Sequence, residues 1–128
     1  MAAKIKLGQR PKTFKPFPVK FVMPDGSEGE IEVTYKYRTN KEFGSMINDT
    51  RLEAGEIPEV DGKIDYKALH ERIGRKSADH LLKSIEAWSL DEDITLAVLE
   101  QLCDELPAAM VALMSCYADA CEKGRLGN

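Results

Sequence analysis

The stretch that decides the fold runs from Phe17 to Tyr37 and reads FPVKFVMPDGSEGEIEVTYKY. Two runs of alternating apolar and polar residues surround the sequence Pro-Asp-Gly-Ser at residues 24–27. Such runs around a turn sequence are typical of a β-hairpin with one face in water. The predicted apolar face consists of Val19, Phe21 and Met23 from the first run and Ile31, Val33, Tyr35 and Tyr37 from the second. A lone hairpin is marginally stable, so we expect helices to cover this face.

After Arg38 the spacing of apolar residues becomes helical. Thr39 and Glu42 have the spacing of a capping box, which predicts a first helix. Gly55, Pro58 and Gly62 then interrupt the pattern and predict a polar loop. Asp65 is a plausible N-cap for a longer helix that Gly74 weakens in its middle. The apolar residues of that helix are Tyr66, Leu69, Ile73, Leu81, Leu82, Ile85 and Trp88.

The last third of the chain predicts two further helices. Ser89 and Glu92 suggest a second capping box, and the helix it would begin carries Ile94, Val98, Leu99, Leu102, Cys103 and Leu106. Pro107 ends that helix or begins the next one, which Gly124 would terminate. Met110, Leu113, Met114, Tyr117 and Cys121 follow helical spacing between them.

These elements predict an α+β fold, with an N-terminal β-hairpin followed by a C-terminal bundle of three or four α-helices. The 128 residues and 14.3 kDa suit one domain over residues 1–128. Within it we expect a basic arm at 1–16, the hairpin at 17–38 and a helical region at 39–128. That region contains the loop, at about residues 55–65.

Charge is divided unevenly along the chain. Residues 1–38 sum to +4, whereas residues 39–128 sum to −8. The basic arm therefore suits an acidic partner, the acidic body of a neighbouring copy, or simply solvent. The net charge of −4 and the pI of about 5.3 argue against a nucleic-acid binder.

The sequence contains no recognisable catalytic or metal-binding motif. His70 and His80 are ten residues apart, too far for a paired metal site on one helix. The three cysteines, Cys103, Cys116 and Cys121, form no Cys-x-x-Cys pair, and we expect reduced thiols in a cytoplasmic protein. We therefore expect neither an enzyme nor a bound cofactor or metal. Met1 to Arg10 lacks the apolar core of a signal peptide, and no apolar stretch is long enough for a membrane span.

One helical stripe is a candidate surface for a protein partner. It consists of Met110, Leu113, Met114 and Tyr117, and methionine side chains adapt to varied apolar partners. The same spacing also describes an ordinary core face. Trp88, with Leu90 beside it, is a second candidate, as a buried packing residue or as an anchor for a partner.

Several short stretches resemble a known family. They are Arg10–Val19, with its Pro-x-Thr-Phe sequence; Ile31–Thr39; Trp88–Asp91; Leu106–Ala109; Tyr117 with Ala118; and Arg125–Asn128. On these residues the sequence resembles the tail assembly chaperones of long-tailed bacteriophages. The resemblance implies a protein that binds the tape measure protein in the host cell cytoplasm and keeps it soluble. It also implies displacement of the chaperone as the tail tube protein arrives.

A carrier for a long amphipathic helix needs an adaptable apolar groove and weak contacts, which suit a homo-oligomer. The alternative is a structural tail or neck subunit that stays in the virion. Neither role involves nucleic acid or a membrane.

Overall fold

A computed structural model gives the fold and describes residues 2 and 4–126. Met1 and Ala3 of the predicted arm lie outside the described residues, as do Gly127 and Asn128 of the Arg125–Asn128 stretch. The elements are β1 (Phe17–Val22), β2 (Glu28–Tyr35), α1 (Asn40–Thr50), β3 (Glu59–Val60), β4 (Lys63–Ile64), α2 (Tyr66–Ser84), β5 (Ile85–Trp88), α3 (Leu96–Glu105) and α4 (Pro107–Lys123). The predicted α+β class, a hairpin followed by helices, is confirmed.

The hairpin forms as its alternating pattern predicts. β1 and β2 pair antiparallel with Val19 opposite Ile31, and Gly26 in the connection has a φ of 88°. Val19, Ile31, Val33 and Tyr35 are buried on one face, while the glutamates between them on β2 are exposed. The hairpin therefore has the predicted dry and wet faces.

A third strand, β5, replaces the predicted end of the long helix. It pairs antiparallel with the outer side of β2, which gives the sheet order β1-β2-β5. Ile85 and Trp88 are three residues apart, so their spacing also fits a helix, and the expectation that they lie on one was wrong. Pairing with a strand some fifty residues earlier decides the conformation.

The predicted helix boundaries are partly right. Thr39 and Glu42 form the capping box of α1, and Asp65 caps α2 by accepting a hydrogen bond from the Ala68 amide. Pro107 begins α4 and Gly124 ends it with a φ of 75°. The helix α2 runs unbroken through Gly74, so the weak point predicted there does not interrupt it.

The second capping box, at Ser89 and Glu92, does not form. Thr95 caps α3 instead, by accepting from the Val98 amide. Ser89 lies beside the sheet, where its hydroxyl accepts a hydrogen bond from the Glu32 amide at 3.0 Å. The region predicted as a loop holds a 3₁₀ turn (Ala54–Glu56) and the small β3–β4 hairpin, whose turn residues Asp61 and Gly62 both have positive φ.

The core lies between the sheet and the helices. α4 packs against β1, α3, α2 and α1. Tyr117 at its centre lies among Phe14, Tyr35, Phe43 and His80. The Tyr35 hydroxyl donates to the Leu113 carbonyl of α4 at 2.6 Å, which ties the sheet to that helix.

The inner end of the predicted basic arm lies against the body. The Phe14 amide donates to the Tyr35 carbonyl, and the Tyr37 amide donates to the Lys12 carbonyl. Arg10 forms a two-point ion pair with Glu42, which lowers the pKa of that carboxyl, and its guanidinium lies 5.0 Å from the Tyr37 ring centre. Ile5 and Leu7, by contrast, are 88% and 93% exposed.

Candidate binding surfaces

The structure divides the six predicted partner-binding residues. Leu113 and Tyr117 are fully buried, so they hold the core and are not accessible to a partner in this fold. The Tyr117 hydroxyl accepts from Arg38 and donates to the Lys36 carbonyl, both at 2.9 Å. Helical spacing also allowed an ordinary core face in place of a binding stripe, and Leu113 and Tyr117 lie on such a core face.

Trp88 and Leu90 lie on and just after β5, both half-buried against the core. Trp88 pairs with Val33 across the sheet, and its indole N–H donates to the Glu92 carbonyl at 2.8 Å. That hydrogen bond fixes the ring at the edge of the sheet. These two residues therefore sit on a different element from the methionines of α4.

Met110 and Met114 are both half-buried on α4. Met110 borders an open cleft of about 1030 Å³, which we call the helical cleft. Its walls are residues 67–75 of α2 and 97–104 of α3, and Pro107 and Met110 at the start of α4 complete its lining. It is therefore the place where a predicted partner-binding residue meets a surface large enough for a partner.

The shape of the helical cleft follows from small side chains. Gly74 has no side chain, and the space beside it is open, because a Cβ built there would meet no atom within 4 Å. Ala97 faces the same cleft from the start of α3. Ile73 and Met110 supply apolar surface to the same cleft. The glycine that was expected to weaken α2 instead contributes to a depression on its surface.

The border of the helical cleft carries charges of both signs. Basic side chains come from Lys67 and Arg75, and acidic ones from Glu71, Glu100 and Asp104. Such a border suits an amphipathic segment whose apolar face enters the cleft while its charged flanks remain in water. The α2 wall spans eight residue steps, about 12 Å, or roughly two turns of a helix.

A second apolar depression, which we call the strand groove, lies between β1 and α4. It has a volume of about 550 Å³, and its lining includes Phe21, Val22, Ala108, Val111, Ala112 and Ser115. Val22 and Val111 are 64% and 59% exposed, so they are open to solvent on both sides of the groove. Nothing in the alternating pattern of the hairpin pointed to this groove, because it requires α4 to lie alongside β1.

The cysteines are poorly placed for chemistry. Cys103 and Cys121 are buried and Cys116 is half-buried, all as free thiols. Burial raises the pKa of each, that of Cys103 to about 11, which disfavours the reactive thiolate. Within the described part of the chain, no three His, Cys, Asp or Glu residues lie together as a metal site. In the same residues, no helix is both long and apolar enough to cross a membrane.

The burial of His80 is a feature that the sequence did not predict. It is buried between the Phe43 and Tyr117 rings, and its Nε2 has no hydrogen-bond partner. Burial lowers its pKa to about 4, and the nearby Arg38 guanidinium adds to this, while Asp79 opposes it. Residue type and helical spacing do not show whether a histidine is buried, so only the packing of α1 and α4 reveals that His80 is.

A family model described as phage tail assembly chaperone matches residues 1–128, the whole chain. No curated protein and no solved structure matches this sequence.

Proposed function

The chain belongs to the phage tail assembly chaperone family, and from that membership we propose that it binds the tape measure protein and keeps it soluble during tail tube assembly. The observation that supports a carrier role is the helical cleft, which is open, apolar at Ile73 and Met110, and bordered by charges of both signs. A tape measure protein is a long helix with exposed apolar surface. One amphipathic stretch of about two turns would fit the cleft.

The cleft suits reversible binding. It is open to solvent, and Met110 can change rotamer to fit different apolar side chains at little cost. Contacts of this size are weak one at a time, so many copies along one client would supply the stability through multivalency. We therefore propose that the chain works as a homo-oligomer in the host cell cytoplasm. The arriving tail tube protein would then displace weak contacts one by one, and no catalysis is needed.

The remaining predicted residues have a narrower part in this proposal. Met114 is one turn from Met110 and half-buried, so it would support the shape of α4 next to the cleft. Trp88 and Leu90 would contribute only to a client segment that extends beyond the cleft to the edge of the sheet.

Binding of a short tape measure fragment tests the proposal. The fragment comes from the same phage, carries a fluorescent label and covers one cleft only, so that oligomerisation does not enter the measured affinity. Met110→Asp places a charge in the cleft and is expected to weaken binding at least about tenfold, or roughly 1.4 kcal/mol. Met110 is half-buried, so its substitution also changes the packing of α4. Ala97→Glu, at an exposed position of the same cleft, therefore serves as a second variant.

Val111→Asp is the matched control, since Val111 is the next residue on α4 but lines the strand groove. We expect it to bind the fragment like the wild type. Undiminished binding by both cleft variants, with their thermal unfolding unchanged, would show that the client binds elsewhere. Finding the chain in purified mature virions would instead favour the structural-subunit alternative.

A further inference from the structure

The N-terminal segment Lys4–Leu7 has the pattern of a strand that lacks a sheet. Ile5 and Leu7 alternate with Lys4 and Lys6, so an extended conformation places the two apolar side chains on one face. Both are almost fully exposed in this chain, more so than the other large apolar side chains that the structure leaves in solvent. Two such side chains on one short segment favour a partner that covers them.

The outer edge of β1 offers a matching site. β1 has β2 as its one neighbour within the described sheet. Both backbone groups of Glu32 bond to Ser89, on the β5 side of β2. Alternate residues of an antiparallel strand point to opposite sides, so Pro18, which lies across from Glu32, directs its backbone to the open edge.

The same alternation directs the backbone groups of Lys20 and Val22 to that edge. Pro18 has no N–H to donate, so hydrogen bonding to an added strand stops at that end of β1. At the other end it stops where the hairpin connection begins, after Val22. The edge therefore accepts a strand of only a few residues. Lys4–Leu7 has that length.

Beside this edge lies the strand groove. A strand added to β1 would direct alternate side chains toward α4, where Val111 and Ala108 are exposed. The other face of the sheet carries the exposed glutamates Glu28, Glu30 and Glu32. On that face the charged side chain nearest to an added strand is Lys20 of β1, which pairs with Glu28 at 3.7 Å, and the glutamates lie one strand further away. The apolar pattern therefore sets the orientation of the added strand, with Ile5 and Leu7 toward α4.

In this structure the segment does not lie in the groove of its own chain, since Ile5 and Leu7 are exposed. Lys12 is bonded to Tyr37, and Arg10 packs on the Tyr37 ring, at one end of β2. Lys20 lies opposite Glu30, and the seven residue steps from Glu30 to Tyr37 correspond to about 23 Å of strand. The five residue steps from Arg10 to Ile5 span at most about 18 Å, so the groove of the same chain lies at the limit of reach. A second copy presents its groove without this constraint, so we take a second copy as the partner.

We propose that Lys4–Leu7 of one copy adds as a short strand to the Lys20–Val22 edge of β1 in a second copy, with Ile5 and Leu7 in the strand groove. The donor segment and the acceptor edge are different surfaces of the chain, so the contact is head-to-tail and repeats from copy to copy. This inference rests on the self-association proposed above, but not on the client or on the helical cleft.

A mixing experiment tests the contact. Ile5→Asp/Leu7→Asp removes the donor, and Val111→Asp blocks the acceptor; all three residues are exposed, so the fold is expected to survive. Each variant alone is expected to be monomeric by sedimentation velocity, with self-association weakened about a hundredfold. Mixed together, one variant supplies an intact groove and the other an intact segment, so a capped one-to-one dimer is expected.

Val60→Asp is the control, because it places the same charge at an exposed valine of β3, away from both surfaces. It is expected to associate like the wild type. A wild type that stays monomeric, variants that keep its oligomeric state, or a mixture that forms no dimer would each overturn the proposal. Fragment binding by the monomeric Ile5→Asp/Leu7→Asp variant is measured separately, so failure of this contact is distinguishable from failure of the proposed function.

Discussion

Acidification is expected to destabilise the fold through His80. The imidazole is 3% exposed, and its pKa falls from the ordinary 6.5 to about 4 because burial disfavours the charged form. The unfolded chain therefore binds a proton more readily than the folded one between these two pH values. The stabilisation by neutral His80 is complete above pH 6.5 and decreases as the pH falls toward 4.

The size of the effect follows from the two pKa values. Between pH 7 and pH 5, the difference in proton binding lowers the free energy of unfolding by about 2 kcal/mol. Its limit at lower pH is about 3 kcal/mol, for a shift of about 2.5 units. Arg38 works in the same direction as burial, and Asp79 works against it. Tyr117 and Phe43 face the ring from α4 and α1.

Urea unfolding at pH 7 and pH 5 measures this contribution. In His80→Leu, the group no longer titrates, so the loss of stability between the two pH values is expected to be about 2 kcal/mol smaller than in the wild type. Other groups contribute to both proteins and cancel in the comparison. His70→Leu, at an exposed histidine of the same helix, is the control and is expected to behave like the wild type. An equal loss of stability in the wild type and in His80→Leu would show that His80 is not the source of the pH dependence.

The remaining predictions concern the framework around the site. Tyr117→Phe removes the hydroxyl that bonds Arg38 and the Lys36 carbonyl, and is expected to cost about 1–3 kcal/mol in chemical unfolding, whereas Tyr66→Phe, at an exposed tyrosine, costs little. Thr39→Ala removes the capping box of α1 and is expected to cost about 1 kcal/mol; a cost no larger than that of Ser45→Ala, at an exposed position of the same helix, would contradict the cap. Thr95→Ala is expected to cost about 1 kcal/mol in the same way, and no measurable cost would mean that α3 begins elsewhere.

Local patterns in the sequence were sufficient for the elements whose signals are local. The alternation of Ile31, Val33 and Tyr35 predicts their buried face, and Thr39 and Asp65 predict two helix starts. These signals work because side-chain period and capping depend on neighbours a few residues away.

Pairing between distant residues explains what the sequence did not predict. Ile85 and Trp88 fit a helix by spacing, yet β2 holds them in a strand. Ser89 has the residue type and spacing of a helix cap, but its hydroxyl accepts from the Glu32 amide. Asp61-Gly62 is a typical turn sequence of a hairpin, because both residues adopt the positive φ that the turn requires. Only a loop was predicted there.

The candidate site was likewise only partly predictable from local patterns. Helical spacing placed Met110, Leu113, Met114 and Tyr117 on one face, but spacing does not distinguish a core from a groove. Burial does so: Leu113 and Tyr117 are inside, and Met110 borders the helical cleft. The cleft itself depends on how α2, α3 and α4 meet, which no local pattern encodes.

The most direct test of the central claim is to map the client on the surface of the chain. The ¹⁵N-labelled Ile5→Asp/Leu7→Asp variant, expected to be monomeric, is titrated with an unlabelled tape measure fragment, and backbone amide shifts are followed by NMR. We predict that the shifts cluster at Ile73, Ala97 and Met110, around the helical cleft. Shifts that cluster at Val22 and Val111 instead, or a fragment that binds without moving the cleft amides, would contradict it.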